Sequence, residues 1–183
     1  MILSSAKIHS RTHRIAYSGI FAAAAMILSY LESFIPLGQL IGVPGLKLGL
    51  ANILVAVAYF SLGVYYAASI SFVRIFVSSL LFGSVTSFIF SLFGGILSFL
   101  VLLLLGRLYR RSIGLIGISV LSAAAHNIGQ IFAASLIMNE ITIFMYLPIL
   151  LIFSVPCGAI TGIISETTIS LIGRSGKKVK EII

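Results

Sequence analysis

The chain has 183 residues, of which 60% are hydrophobic and 9% are charged, with a net charge of +8. A typical soluble domain carries roughly a quarter charged residues, and a chain this short cannot hide so much apolar surface in one globular core. The composition therefore excludes a soluble protein and predicts an all-α integral membrane protein, with one transmembrane domain over residues 1–183.

Apolar runs separated by glycine, proline or basic residues predict about six transmembrane helices. The predicted spans are 15–35, 48–62, 66–82, 87–105, 113–138 and 147–172. The stretch 141–173 is too long for one straight span of about 20 residues. Pro148 and Pro156 are expected to divide it into an interfacial lead-in and a kinked final helix. Five or seven spans are the alternatives.

Ten of the twelve Lys and Arg residues lie in three clusters, which six spans place on the same side of the membrane. The clusters are at the amino terminus, after the fourth span and in the tail: Lys7, Arg11 and Arg14; Arg107, Arg110 and Arg111; Arg174, Lys177, Lys178 and Lys180. The positive-inside rule makes this side cytoplasmic. We therefore expect a multi-pass protein of the cytoplasmic membrane with both ends in the cytoplasm. No basic stripe interleaved with aromatic residues indicates nucleic-acid binding.

The acidic and thiol residues are too few for most catalytic and metal sites. The sequence has no Asp, four Glu and a single cysteine, Cys157. Paired-carboxylate hydrolysis, Asp-rich magnesium sites and a Ser-His-Asp triad need residues that are missing, and Cys157 has no partner for a thiolate metal site. No glycine-rich nucleotide loop occurs. We expect a non-enzyme without metal or cofactor, whose energy source lies in another protein.

Arg74 lies near the middle of the third predicted span. A guanidinium there costs at least about 2.5–3.5 kcal/mol on insertion scales, so it must face a partner, a wet cavity or an anionic ligand. Pairing with Glu32, Glu166 or helix-end carbonyls is the structural alternative to a ligand. Either glutamate could also carry a proton in a coupled transporter.

Lys47 and Asn52 lie at the predicted outer mouth of the second span. Lys47 either extends to the membrane interface or, above Arg74, forms a funnel for an anion. Asn52 could donate a neutral hydrogen bond in the same cavity. In the fifth span, His126 and Gln130 share a helix face and Asn127 adjoins them. These three side chains either join helices as polar contacts or line the cavity.

Small residues in the first span are spaced for close helix packing. Gly19 with Ala23, and Ser18 with Ala22, form small-x-x-x-small pairs. Their partner is either another helix of this chain or a separate membrane subunit. Ser91, Gly94, Gly95 and Ser98 give the fourth span a similar face.

Several ordered motifs resemble one family. The stretch 44–52, Pro-Gly-Leu-Lys-Leu-Gly-Leu-Ala-Asn, resembles the signature of the Gx transporter family, which is also labelled heptaprenyl diphosphate synthase component I. Arg74 with 81–83, then 91–95 and 125–130, are similar to its later blocks in the same order. The resemblance covers about residues 15–172. It implies a fold similar to the substrate-binding S components of energy-coupling-factor transporters, whose small-residue first helix docks a coupling subunit.

The preferred hypothesis is a substrate-binding membrane subunit of a transporter for a small anionic or amphiphilic molecule. Its ligand would be held by Lys47, Asn52, Arg74, His126, Asn127 and Gln130. Its partners would be the lipid bilayer, a coupling transmembrane subunit and ATPases. The alternatives are a non-catalytic scaffold in isoprenoid, quinone or flavin-linked redox metabolism, and an intramembrane enzyme. Prenyl transfer by Asp-bound magnesium is untenable without Asp.

Overall fold

The computed structural model describes residues 11–35, 49–109 and 111–182, with side chains up to Gly173. Within these ranges the chain forms six α-helices and no named strand, which confirms the prediction of an all-α protein with six helices. The helices are α1 (Arg11–Ser33), α2 (Asn52–Ser61), α3 (Val64–Phe82), α4 (Val85–Gly106), α5 (Leu115–Met138) and α6 (Leu147–Ile182). A 3-10 helix, Ile141–Tyr146, precedes α6 and corresponds to the predicted lead-in.

Local residues explain how the helices begin and end. The hydroxyl of Ser84 accepts the N–H of Ser87 and caps α4. Gly63, with φ of 110°, allows the sharp turn between α2 and α3. Glu140 accepts hydrogen bonds from the N–H and hydroxyl of Thr142, which caps the 3-10 helix and lowers the pKa of this exposed carboxyl. Pro156 lies inside α6, and Pro148 is in its first turn.

Five helices are long and apolar enough to cross a membrane, but α2 is not. Its 10 residues extend about 15 Å, half of a hydrocarbon core of about 30 Å. The prediction of a helix over 48–62 was therefore too long at its start. Gly49 adopts a φ of 83°, and its N–H donates a hydrogen bond to the Glu32 carboxylate. The helix therefore begins only at Asn52.

The helices pack in two connected groups. The most extensive contacts join α5 to α4 and to α6, whereas α1 packs mainly against α3 and α2. Glycines allow the closest approaches: a Cβ at Gly129 would lie 2.6 Å from the carbonyl oxygen of Phe93, and one at Gly158 would lie 2.4 Å from the Cα of Val120. Large apolar side chains remain exposed on the outside of every long helix. These surfaces face lipid in a membrane protein.

Candidate ligand-binding site

Arg74 is buried in the bundle, where α3 meets α1 and α2. Only 4% of its surface is exposed. One guanidinium nitrogen, Nη2, donates to Oδ1 of Asn52 at 3.1 Å, and Nη1 donates to the hydroxyl of Ser29 at 3.5 Å. The third nitrogen, Nε, has no hydrogen-bond partner among the described residues. The guanidinium is thus held by two neutral side chains, and one of its three nitrogens, Nε, keeps its N–H donor unused among the described residues.

Glu32 is the glutamate whose charge acts on Arg74. It is 3% exposed on α1, and its field stabilises the guanidinium charge. One of its carboxylate oxygens accepts the N–H of Gly49. Glu166 instead accepts a hydrogen bond from the Tyr109 hydroxyl at 3.4 Å, in the region where α6 meets the α4–α5 loop. Of the two acids that the sequence left open, Glu32 is therefore the one that acts on Arg74.

His126 is packed between two glycines from different parts of the chain. A Cβ at Gly49 would lie 3.1 Å from Cδ2 of the imidazole, and one at Gly94 would lie 2.8 Å from Nδ1. The same Cβ at Gly49 would lie 2.9 Å from Nδ2 of Asn52. The two glycines leave room for a buried imidazole beside Asn52, so Arg74, Asn52 and His126 form one polar cluster.

Asn52 connects this polar cluster to a narrow cavity. Its Oδ1 accepts from Arg74, and its Nδ2 donates to the hydroxyl of Ser98 at 3.5 Å. The space open to the centre of a water molecule is about 30 Å³, enough for about two water molecules. The lining includes Gly49, Asn52, Val55, Gly95, Phe99, Leu102, Cys157 and several buried hydroxyl side chains from α3 to α6.

The comparisons with known proteins identify the family. The sequence profile of heptaprenyl diphosphate synthase component I matches residues 21–168, most of the chain. The chain belongs to this family. The match includes the described cluster, from Ser29 on α1 to His126 on α5. Comparisons with curated proteins and with solved structures gave no match.

The remaining ligand residues of the sequence analysis are placed differently within this family member. Asn127 is buried and donates through Nδ2 to the carbonyl oxygen of Leu150 at 3.0 Å, which joins α5 to α6. Gln130 is fully buried one turn beyond His126. Neither side chain lines the cavity beside Asn52. Lys47 lies outside the described residues.

The four small residues of α1 divide between two surfaces. Gly19 and Ala23 are exposed, and a Cβ at Gly19 would meet no atom within 4 Å. Ala22 is half-buried against the core between α1 and its neighbours, and the Ser18 hydroxyl donates to the carbonyl oxygen of Arg14. The Gly19 and Ala23 pair is therefore not used for packing within the described chain.

The serine and threonine lining of the cavity was not predicted from the sequence. The signal was present, because Ser119 with Ser122 and Thr161 with Ser165 have helical spacing and so share a face in α5 and in α6. In the described residues, no group of three His, Cys, Asp or Glu side chains could hold a metal ion. The site offers hydrogen bonds and the buried cation of Arg74, groups that are suited to binding an anion.

Proposed function

We propose that this chain is the substrate-binding membrane subunit of a transporter for a small anionic or amphiphilic molecule. The observation that supports it most is Arg74, a buried guanidinium whose contacts with Ser29 and Asn52 leave the Nε donor unused among the described residues. A purely structural arginine would be expected to use all of its donors, because each unpaired buried donor costs about 1–3 kcal/mol. A carboxylate or phosphate would accept from Nε and add a charge-assisted hydrogen bond.

The position of α2 also supports anion binding. Short helices that end inside a membrane protein place the positive end of their dipole at substrate sites near the middle of the bilayer. Here α2 begins at Asn52, next to Arg74 and His126. The amino end of α2 and the guanidinium would attract the same negatively charged group. Lys47 is proposed to contribute from the adjoining segment.

Native mass spectrometry of the detergent-purified full chain tests this function. We expect a retained small molecule that carries a carboxylate or phosphate, because a preformed buried cation favours ligands that survive purification. A chain that carries no small molecule, or only lipid of the surrounding bilayer, would contradict the proposal. The Arg111→Ala variant, which changes an exposed cation, serves as the control for nonspecific anion binding.

We further propose that α1 docks a coupling transmembrane subunit, which links the chain to ATPases in the cytoplasmic membrane. Gly19 and Ala23 leave a shallow exposed strip on a helix that packs mainly against α3 and α2. Small residues let a second helix approach closely. With both ends of the chain in the cytoplasm, the ATPases would lie on the side of the basic clusters.

Enlarging this strip tests the docking proposal. The double variant Gly19→Leu with Ala23→Leu should lower the fraction of membrane ATPase subunits that co-purify with the tagged chain by about tenfold, because the helices can no longer approach. Ser69→Leu enlarges an exposed residue of α3 and should leave co-purification unchanged. Equal recovery from the double variant and the wild type would exclude docking through this strip.

A second function is favoured by the family name, which describes a synthase component. The chain would then be a non-catalytic accessory or scaffold that positions an enzyme of isoprenoid metabolism at the membrane. We propose that the chain is not itself catalytic, since a sequence without Asp cannot supply the Asp-rich magnesium sites used for diphosphates. Co-purification of a soluble prenyl synthase, with an empty cavity, would favour the scaffold over the transporter.

A further inference from the structure

Six hydroxyl side chains from four helices surround the cavity beside Asn52. Each is more than nine-tenths buried. They come from α3, α4, α5 and α6: Ser71, Ser98, Ser119, Ser122, Thr161 and Ser165. We call this space the hydroxyl chamber. It is distinct from the polar cluster, because Arg74 and His126 do not line it.

The hydroxyl groups around the chamber do not use their full capacity to form hydrogen bonds. Thr161 donates to the carbonyl oxygen of Gly158 at 2.9 Å, and Ser165 donates to that of Ile53 at 3.4 Å. The Ser122 hydroxyl has no hydrogen-bond partner among the described residues. A hydroxyl oxygen can also accept, so both donors and acceptors face the chamber. A buried hydroxyl without a partner is costly, so Ser122 calls for a polar guest.

We propose that the molecule bound at Arg74 carries an uncharged, hydroxylated body, and that one or two hydroxyl groups of this body enter the hydroxyl chamber. The inference rests on the proposed function and adds the class of substrate: a phosphorylated or carboxylated polyol or sugar. Asn52 joins the two parts, since it accepts from Arg74 and donates to Ser98. A ligand could therefore place its anion at the guanidinium and its hydroxyl groups among the serines.

The chamber disfavours a prenyl chain. An alkenyl chain in the chamber would displace water and offer no hydrogen bonds in return. Hydroxyl groups such as that of Ser122 would then be buried without partners, which is energetically unfavourable. The space is open to about two water molecules, so one or two hydroxyl groups of a polyol would displace this water and replace its hydrogen bonds. Val55, Phe99 and Leu102 would pack against the carbon skeleton of the guest.

Cys157 provides a direct reporter, because it is the single cysteine of the sequence and it lines the chamber. The rate of its alkylation by N-ethylmaleimide is measured in the detergent-purified full chain with two five-carbon monophosphates, ribose 5-phosphate and isopentenyl phosphate. We expect ribose 5-phosphate to protect Cys157 at concentrations at least about tenfold lower than isopentenyl phosphate, since one additional buried hydrogen bond corresponds to about that factor.

A matched pair of serine variants assigns the effect to the chamber. Ser122→Ala should weaken protection by ribose 5-phosphate about tenfold, while the empty protein unfolds at the same or a higher temperature because an unpaired buried hydroxyl is gone. Ser79→Ala removes another buried hydroxyl without a partner among the described residues, on α3 and outside the chamber, and should leave protection unchanged.

The outcomes separate this inference from the proposed function. Equal or better protection by isopentenyl phosphate, or unchanged protection in Ser122→Ala, overturns the hydroxylated body and leaves anion binding at Arg74 standing. Protection by neither phosphate also overturns the hydroxylated body. The proposed function fails as well only if native mass spectrometry finds no retained anion.

Discussion

Replacement of Arg74 with Ala is expected to lower the affinity for the retained anion by at least about thirtyfold. Truncating one member of a buried, hydrogen-bonded charge pair costs about 2–5 kcal/mol, and 2 kcal/mol corresponds to about that factor. The loss has two origins here. The anion loses its charged donor, and the nearby Glu32 carboxylate, no longer balanced by the guanidinium, repels it.

The conservative variant Arg74→Lys distinguishes charge from geometry. Lysine keeps the positive charge but cannot reproduce the planar fork that contacts Ser29 and Asn52 and presents Nε. Its affinity should therefore lie between those of the wild type and Arg74→Ala. Bound anion is quantified by native mass spectrometry at matched protein concentrations. Affinity that is equal in all three proteins would show that Arg74 has only a structural role.

A second large effect is expected where α6 crosses α5. Gly158→Ala would place a Cβ 2.4 Å from the Cα of Val120, and the contact is with backbone, which cannot move aside as a side chain can. Overpacking of this kind costs about 1–3 kcal/mol or more. Gly162 makes the next close approach one turn later, where an added Cβ would lie 2.6 Å from the Cα of Ile116. The two glycines form a Gly-x-x-x-Gly motif, which is typical of closely packed transmembrane helices.

The expected result is a lower free energy of unfolding for Gly158→Ala than for the wild type in detergent. The free energy is measured from the loss of helicity on heating or on addition of SDS. Gly19→Ala is the matched control, because α1 leaves open space at that position and alanine is a better helix former than glycine by about 1 kcal/mol. Retained anion should fall together with stability, since Cys157 and Thr161 hold their chamber positions through α6. Equal stability of Gly158→Ala and Gly19→Ala would contradict the described crossing.

Hydrophobicity was sufficient to predict the helical class and the five long helices, because the bilayer imposes length and composition on each span. It could not predict where α2 begins. That boundary depends on a bond between Gly49 and Glu32, 17 residues apart in sequence. A tertiary contact of this kind has no local signature. The cost of burying a charge in lipid singles out Arg74 by sequence position alone, whereas its neighbours depend on how α1 and α2 pack against α3.

The candidate site was predicted only in part. Asn52 was predicted to lie in one cavity with Arg74, and it accepts a hydrogen bond from Arg74. Asn127 instead donates to the carbonyl oxygen of Leu150. An amide on a transmembrane helix is consistent with either role, lining a cavity or joining two helices. The space for the His126 imidazole depends on Gly49 and Gly94, which lie far apart in the chain. Buried serines were overlooked, since serine is also common where transmembrane helices simply pack together. Their convergence on one cavity is a property of the fold.

The most direct test of anion binding at Arg74 is the NMR signal of its Nε–H group in the ¹⁵N-labelled full chain. The signal is assigned by its loss in Arg74→Lys and recorded before and after the retained molecule is removed. We predict that removal shifts this signal, because Nε loses an anionic acceptor and has no replacement among the described residues. An identical signal in both preparations would show that no bound anion contacts Nε of Arg74, and would contradict the proposed binding site.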